Sequence, residues 1–222
     1  MDENSIEPGR DADLYLALRQ AILRGDYAFG SRLKIDEIAR RFGVSHMPVR
    51  KALTQLSGDR LVTLSRNRGA SVRCVDLQTV GNIYDIVIPL ESLLARRTAE
   101  RADDALVASL TRVETDFEDA AGRLDHEAVE SLNQLFHEII GRHSGNPDAA
   151  DIVDRNQEML RAIRRSYGFD AARLPGVISD HRALISALRE RDAESAAAIG
   201  AGHAAKARSD LIATIRGAGG PV

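Results

Sequence analysis

Asn133, His137, His181 and His203 have the residue types and spacing to hold a cation. Asn133 precedes His137 by four positions, which sets an amide oxygen and an imidazole one turn apart on the same face of a helix. His181 has Val177, Ile178, Leu184, Ile185 and Leu188 around it at helical spacing, so it points into a helical interior. His203 follows Ile199 by four and precedes Leu211 by eight, and faces inward for the same reason. Imidazoles from three helices and one amide oxygen form a donor set for a divalent transition metal, with Zn, Ni and Mn all compatible. The competing reading is three core histidines, each hydrogen-bonded to its own surroundings, and spacing alone does not choose between them. His126 and His143 lie near helix ends and read as solvated. A metal on three histidines with an open position can activate water, so a metal-dependent hydrolase is one class to weigh, and a sensor whose signal is the cation is another. Against the hydrolase, no His-Glu-x-x-His run supplies a general base. Glu138, next to His137, diverges from it by about 100° around a helix.

A second kind of chemistry sits in residues 36–56, DEIARRFGVSHMPVRKALTQL, which reads as two short helices meeting at a glycine turn. Asp36 can cap the first helix, Ile38 and Phe42 supply its apolar stripe, and Gly43 allows the positive φ that ends it. Val44 plugs the turn, Ser45 caps the second helix, and Pro48 occupies its first turn, where a missing amide hydrogen costs little. Val49, Ala52, Leu53 and Leu56 then face inward, leaving His46, Met47, Arg50, Lys51 and Gln55 toward solvent or a DNA groove. Beyond Asp59 the period changes: Leu61, Val62, Leu64 and then Ala70, Val72 suggest two strands around the turn Arg66-Asn67-Arg68-Gly69. A basic hairpin tip beside such a helix is a wing, able to enter a minor groove or grip phosphate, with Gly69 permitting close backbone approach. From Arg32 to Arg73 there are ten Lys or Arg (32, 34, 40, 41, 50, 51, 60, 66, 68, 73) against three acids (36, 37, 59), in a chain of net charge −3. This asymmetry is the footprint of a phosphate-binding module joined to something that does not bind nucleic acid. The bland alternative is a helical hairpin with a solvated basic face.

These two chemistries need two bodies to position them. The 222 residues, 44% hydrophobic, divide most naturally into a winged helix-turn-helix over 1–75 and an all-helical bundle over 76–222, giving a mainly α protein. Helical periodicity predicts helices at 77–101, 104–121, 125–143, 147–167, 175–190 and 192–216. Asp104 and Asp125 read as caps, Gly145-Asn146-Pro147 as a break, and Pro89 as a kink unless a neighbouring helix fills the gap. A bundle of this size has interior for a small molecule. Cys74 is the one cysteine, so no internal disulfide framework exists. The absence of a long apolar run and the acidic N-terminus point to a soluble, cytoplasmic protein with no membrane partner.

The segment Leu14 to Val72, with AILRGDYAFGSRL, VSHMPVRKAL and LVTLSRNRGASV, resembles the winged helix of the GntR family of bacterial transcription regulators. In most of that family an Arg-Thr pair precedes Pro-Val-Arg-Glu-Ala-Leu; here His46 and Met47 stand before Pro48, and Lys51 takes the Glu position. Arg50 is retained and is the leading candidate for reading a base, with guanine as its natural bidentate partner. The helical part resembles the C-terminal ligand-binding (FCD-type) domain of the fatty-acid-regulator branch, and the resemblance implies that Asn133, His137, His181 and His203 bind a metal that helps hold a carboxylate effector. Relatives carry an arginine one turn before a Leu-Glu pair. Leu90-Glu91 is present, but the matching position is Val87, and Arg161 or Arg164 are candidates to replace the missing guanidinium. What the resemblance implies is a homodimer that binds double-stranded operator DNA and whose affinity is set by a small-molecule effector. Repression relieved by effector is the commoner family pattern, and no residue here fixes that sign.

Overall fold

The computed structural model describes residues 8–65, 69–168 and 170–219. The chain divides into two compact units, Met1–Val75 and Asp76–Val222. The first is built from α1 (Pro8–Arg24), β1 (Arg32–Leu33), α2 (Ile35–Phe42), α3 (His46–Gly58), β2 (Val62–Ser65) and β3 (Gly69–Val72). Leu14, Leu18, Ala21 and Ile22 recur at helical spacing on α1 and are buried, which is the face α1 turns to α3. On α3 the buried residues are Val49, Ala52, Leu53 and Leu56, as the periodicity requires. Gly43 closes α2 at φ 66°, and its backbone N–H donates to the Ala39 carbonyl.

Two capping expectations are corrected here. Lys34, not Asp36, is the N-cap of α2; Asp36 lies in the first turn, where its charge still complements the helix dipole. Ser45 is the N-cap of α3, but its hydroxyl makes no capping hydrogen bond. The strands form an antiparallel sheet of order β1-β3-β2, with Val62 opposite Val72 and Ser65 opposite Gly69. β1 is too short to show a period in sequence, and it enters the sheet only by pairing Arg32 with Ser71 and Leu33 with Ala70. Gly69 takes φ 83°, a conformation open to glycine. Arg66 and Arg68 lie outside the described residues.

The second unit consists of α4 (Leu77–Arg101), α5 (Asp104–Gly122), α6 (His126–His143), α7 (Pro147–Tyr167), a 3-10 turn at Ala171–Arg173, α8 (Leu174–Arg189) and α9 (Ala193–Gly217). Asp76, Asp103, Asp125, Asn146 and Asp192 each accept a backbone N–H at a helix start. The cap of α5 is thus Asp103, with Asp104 one position inside the helix. α4 runs through Pro89 without a break in its assignment. It packs against α6, α7, α8 and α9, so it is the central helix of the bundle. α4 and α9 approach closely at Gly200, where an added Cβ would stand 3.0 Å from the Glu91 carbonyl oxygen and 3.1 Å from the Ala95 Cβ. Helix capping and two-turn apolar periodicity thus fix the elements, and small residues on α9 let the central pair meet.

Candidate functional site

α6, α8 and α9 bring His137, His181 and His203 together: one ligand-capable atom from each lies within 4.8 Å of the others. Their ring centroids are 5.2 to 5.7 Å apart. Asn133 sits one turn before His137 on α6 and is half-buried. His181 is almost fully buried, stacked on Phe136 at 4.0 Å between centroids and tilted against Phe117 at 5.4 Å. Its ring is therefore clamped by packing as well as by hydrogen bonding.

Each imidazole also faces a carboxylate. Glu114 Oε2 on α5 lies 2.7 Å from His181 Nδ1, Asp180 Oδ2 lies 3.4 Å from His203 Nδ1, and Glu91 Oε2 on α4 lies 3.6 Å from His137 Nδ1. The last distance is too long for a hydrogen bond, and among the described residues His137 Nδ1 has none. Glu91 is itself held by Gln157, whose Nε2 donates to Oε1 at 3.2 Å, and Asp180 by Lys206, whose Nζ donates to Oδ1 at 2.6 Å. Carboxylates behind imidazoles fix ring orientation and tautomer, as behind metal-ligating histidines. With Nδ1 of His181 engaged by Glu114, Nε2 is left over, buried and without a hydrogen-bond partner among the described residues.

The electrostatics favour neutral rings at His181 and His203. Burial holds His181 well below the ordinary imidazole value, with His137 and His203 adding to the shift. Burial also lowers His203, opposed by its hydrogen bond to Asp180. Burial alone would raise Glu91, but the charge of His137 and its neighbours outweighs it and the carboxyl lies below its usual range. Glu114 is pushed up to about 8, by burial first and by the nearby Glu118 charge second. A neutral imidazole with a free, buried nitrogen is the ligand form that a metal requires, so the residues present fit a divalent cation.

The two effector candidates lie on α7 in different surroundings. Arg161 is half-buried, 4.0 Å from Glu130, on the side of α7 that also bears Asp154. Arg164 donates from Nη2 to the hydroxyl of buried Tyr84 at 2.5 Å. Glu138 accepts from Gln134 and Arg142 along its own helix, in keeping with the divergence from His137 expected of adjacent helical residues.

In the first unit, Ser45, His46, Met47, Arg50 and Lys51 are all exposed on or beside α3, and Met47 is 58% exposed although apolar. An apolar side chain held out at the start of such a helix has no core to serve. His46 Nε2 lies 3.0 Å from Asp36 Oδ1. The exposed face of α3 and the β2–β3 hairpin belong to the same small unit, an arrangement able to present a helix and a wing to duplex DNA.

Residues 11–72 match the model for bacterial regulatory proteins of the gntR family, and residues 82–206 match the FCD domain. The chain belongs to the GntR/FCD family of transcription regulators. Among its relatives, an uncharacterized HTH-type transcriptional regulator in an unstable DNA locus of Streptomyces ambofaciens is 31% identical over 183 residues, spanning 81% of this chain and 75% of that one. The galactonate operon transcriptional repressor of Escherichia coli (strain K12) is 24% identical over 204 residues, 82% and 88% of the two chains. In fold, the chain is similar to E. coli McbR/YncC, with a TM-score of 0.74 at 20% identity, covering 91% of this chain and 96% of that one.

The fold and relatives of this GntR/FCD chain are those of regulators, which removes the hydrolase reading. Among the described residues no helix is long and apolar enough to cross a membrane. Several residues around the candidate centre escaped sequence reasoning. Glu91 was visible only as half of Leu90-Glu91, Asp180 only as the neighbour of His181, and Arg173 carried no signal. Asp180 turns to α9 and His203 rather than to the ring beside it in sequence. A glutamate inside an apolar helical stripe, as Glu114 is between Leu110 and Phe117, was the one available clue.

Proposed function

We propose that operator binding by this GntR/FCD regulator is controlled by a carboxylate effector held at a divalent transition metal in the helical unit. His137, His181 and His203 would hold the cation, with Asn133 adding an amide oxygen from α6. The observation that carries this reading is the convergence of three imidazoles with a buried, unpartnered His181 Nε2. When bound, the cation supplies a positive centre for a carboxylate oxygen. The protein's share is to keep His181 and His203 neutral through burial and to orient their rings through Glu114 and Asp180. Asn133 is neutral where many relatives have Asp, so the site keeps one more positive charge, which suits an anionic ligand.

In the same reading Arg50 contacts a base edge, with Ser45, His46, Met47 and Lys51 around it on α3 and Arg66, Arg68 and Gly69 from the wing. One winged helix makes too few base contacts for useful specificity, so two copies pair and read a palindrome in the cytoplasm. Repression is the direction favoured by the galactonate operon repressor among the relatives. The test is elemental analysis of purified wild type and His181→Ala, with operator binding measured in parallel. Bound metal in the first and its loss in the second are expected; undiminished metal in the variant refutes the coordination. Operator release by the metal alone would make the cation itself the signal.

A further inference from the structure

Three helices of the bundle repeat polar residues at an interval of seven, Tyr84 and Glu91 on α4, Gln157 and Arg164 on α7, and His203 and Asp210 on α9, while Arg173, just before α8, stands eight ahead of His181. Seven residues are nearly two full turns, so each pair on α4, α7 and α9 points the same way about 10 Å apart along its helix. The members near the candidate metal are Glu91, Gln157, His181 and His203. The others form a second polar layer. In it Arg164 donates to Tyr84, and Arg173 Nε lies 3.5 Å from Asp210 Oδ2. Between the layers lie the buried apolar residues Val87, Leu160, Val177 and Ala207.

This second layer has more donors than acceptors. Arg173 Nε is buried and makes no hydrogen bond among the described residues. Burial depresses the Arg173 guanidinium, and the charge of Arg164 beside it works in the same direction. Tyr84 is nearly fully buried and its phenol is raised by burial, so it keeps a proton to donate while accepting from Arg164. Asp210 and Asp170 both act on Arg173, but neither gives its Nε a hydrogen bond, which leaves a buried guanidinium donor to be met by an incoming anion. Arg173 immediately precedes α8, the helix that carries His181 eight residues on.

We propose that Arg173, with Arg164 and Tyr84, receives a second anionic group of the effector, so that the ligand is a short α,ω-dicarboxylate spanning from the metal to the arginines. This rests on the metal reading for one end of the molecule. A metal–oxygen bond of about 2 Å and a charge-assisted hydrogen bond of about 2.8 Å leave roughly 5–6 Å between the two carboxylates' facing oxygens, the span of succinate or glutarate. Arg173 thereby supplies the guanidinium missing at Val87, from the start of α8 instead of from α4.

The experiment is calorimetric titration of metal-loaded full-length protein with succinate and glutarate and, in parallel, with butyrate and pentanoate. Wild type is expected to prefer the dicarboxylates by about tenfold to a hundredfold. Arg173→Met should abolish that preference while keeping metal content, and Arg173→Lys, which keeps the charge without the planar fork, should retain part of it. Equal affinity for both acid classes in wild type, or an undiminished preference in Arg173→Met, overturns the inference. Metal content in the same samples separates the two readings. Metal-free wild type that still prefers dicarboxylates through Arg173 refutes the metal reading alone, and metal-loaded protein without the preference refutes the second anion site alone.

Discussion

Gly200→Ala is a sharp test of how tightly the bundle holds its histidines. The new Cβ would meet the Glu91 carbonyl oxygen at 3.0 Å and the Ala95 Cβ at 3.1 Å. The nearest neighbour is α4 backbone, which cannot swing aside as a flexible side chain does. Overpacking of this kind costs about 1–3 kcal/mol. Alanine recovers up to about 1 kcal/mol of helix propensity over glycine. The net cost is therefore expected to reach about 2 kcal/mol, which lowers the melting temperature of a unit this size by as much as about 8 °C. The strain falls next to function: Gly200 lies one turn before His203, and its clash is with Glu91, the residue facing His137. Forcing α9 away from α4 shifts His203 relative to His137 and His181, so metal affinity should fall with stability. Thermal denaturation and metal titration of the variant check both. A variant as stable as wild type, or more so, would show that propensity prevails and that α4 and α9 do not meet as closely as Gly200 implies.

Arg50→Ala should cost about 1–3 kcal/mol at the cognate operator and relax selectivity at one base position while leaving oligomeric state unchanged, as measured by binding to operator and single-base variants. Glu114→Gln keeps the shape and an acceptor for His181 Nδ1 but can no longer ionise as the cation binds beyond the ring, so metal affinity should fall about tenfold to a hundredfold with the fold intact, read by metal competition and circular dichroism. Thr98 is fully buried and donates from Oγ1 to the Ile140 carbonyl at 2.8 Å, tying α4 to α6. Thr98→Val should therefore cost about 1 kcal/mol in denaturant unfolding with metal content unchanged.

The parts of the molecule that sequence exposes are those with a local cause. α4 begins and ends as the periodicity places it, because Asp76 caps it and Ala102 leaves the helical region. The turn at Gly43 and the buried stripe of α3 follow from residues a few positions apart. The inward direction of His181 likewise follows from its apolar neighbours in one helix. Partners across helices are another matter. Glu114 meets His181 from 67 positions away, and Arg164 meets Tyr84 from 80. No period within either segment encodes such a meeting. β1 failed to show for a related reason, since two residues acquire strand geometry only from the β3 edge they pair with. Asp36 and Asp104 each missed the cap by a residue or two, the usual slack where several polar side chains compete at a helix start.

The seven-residue recurrence on α4, α7 and α9 has an implication for how such a bundle diversifies. Because polar chemistry is confined to two storeys with an apolar floor between them, substitutions in the upper storey can alter which small molecule is admitted without disturbing the histidines below. Sites nearly two turns apart along a helix share few neighbours, so changes in one add to changes in the other instead of interfering. A descendant of this chain could acquire a new signal by exchanging Arg173 or Tyr84 alone and keep its cation grip unchanged.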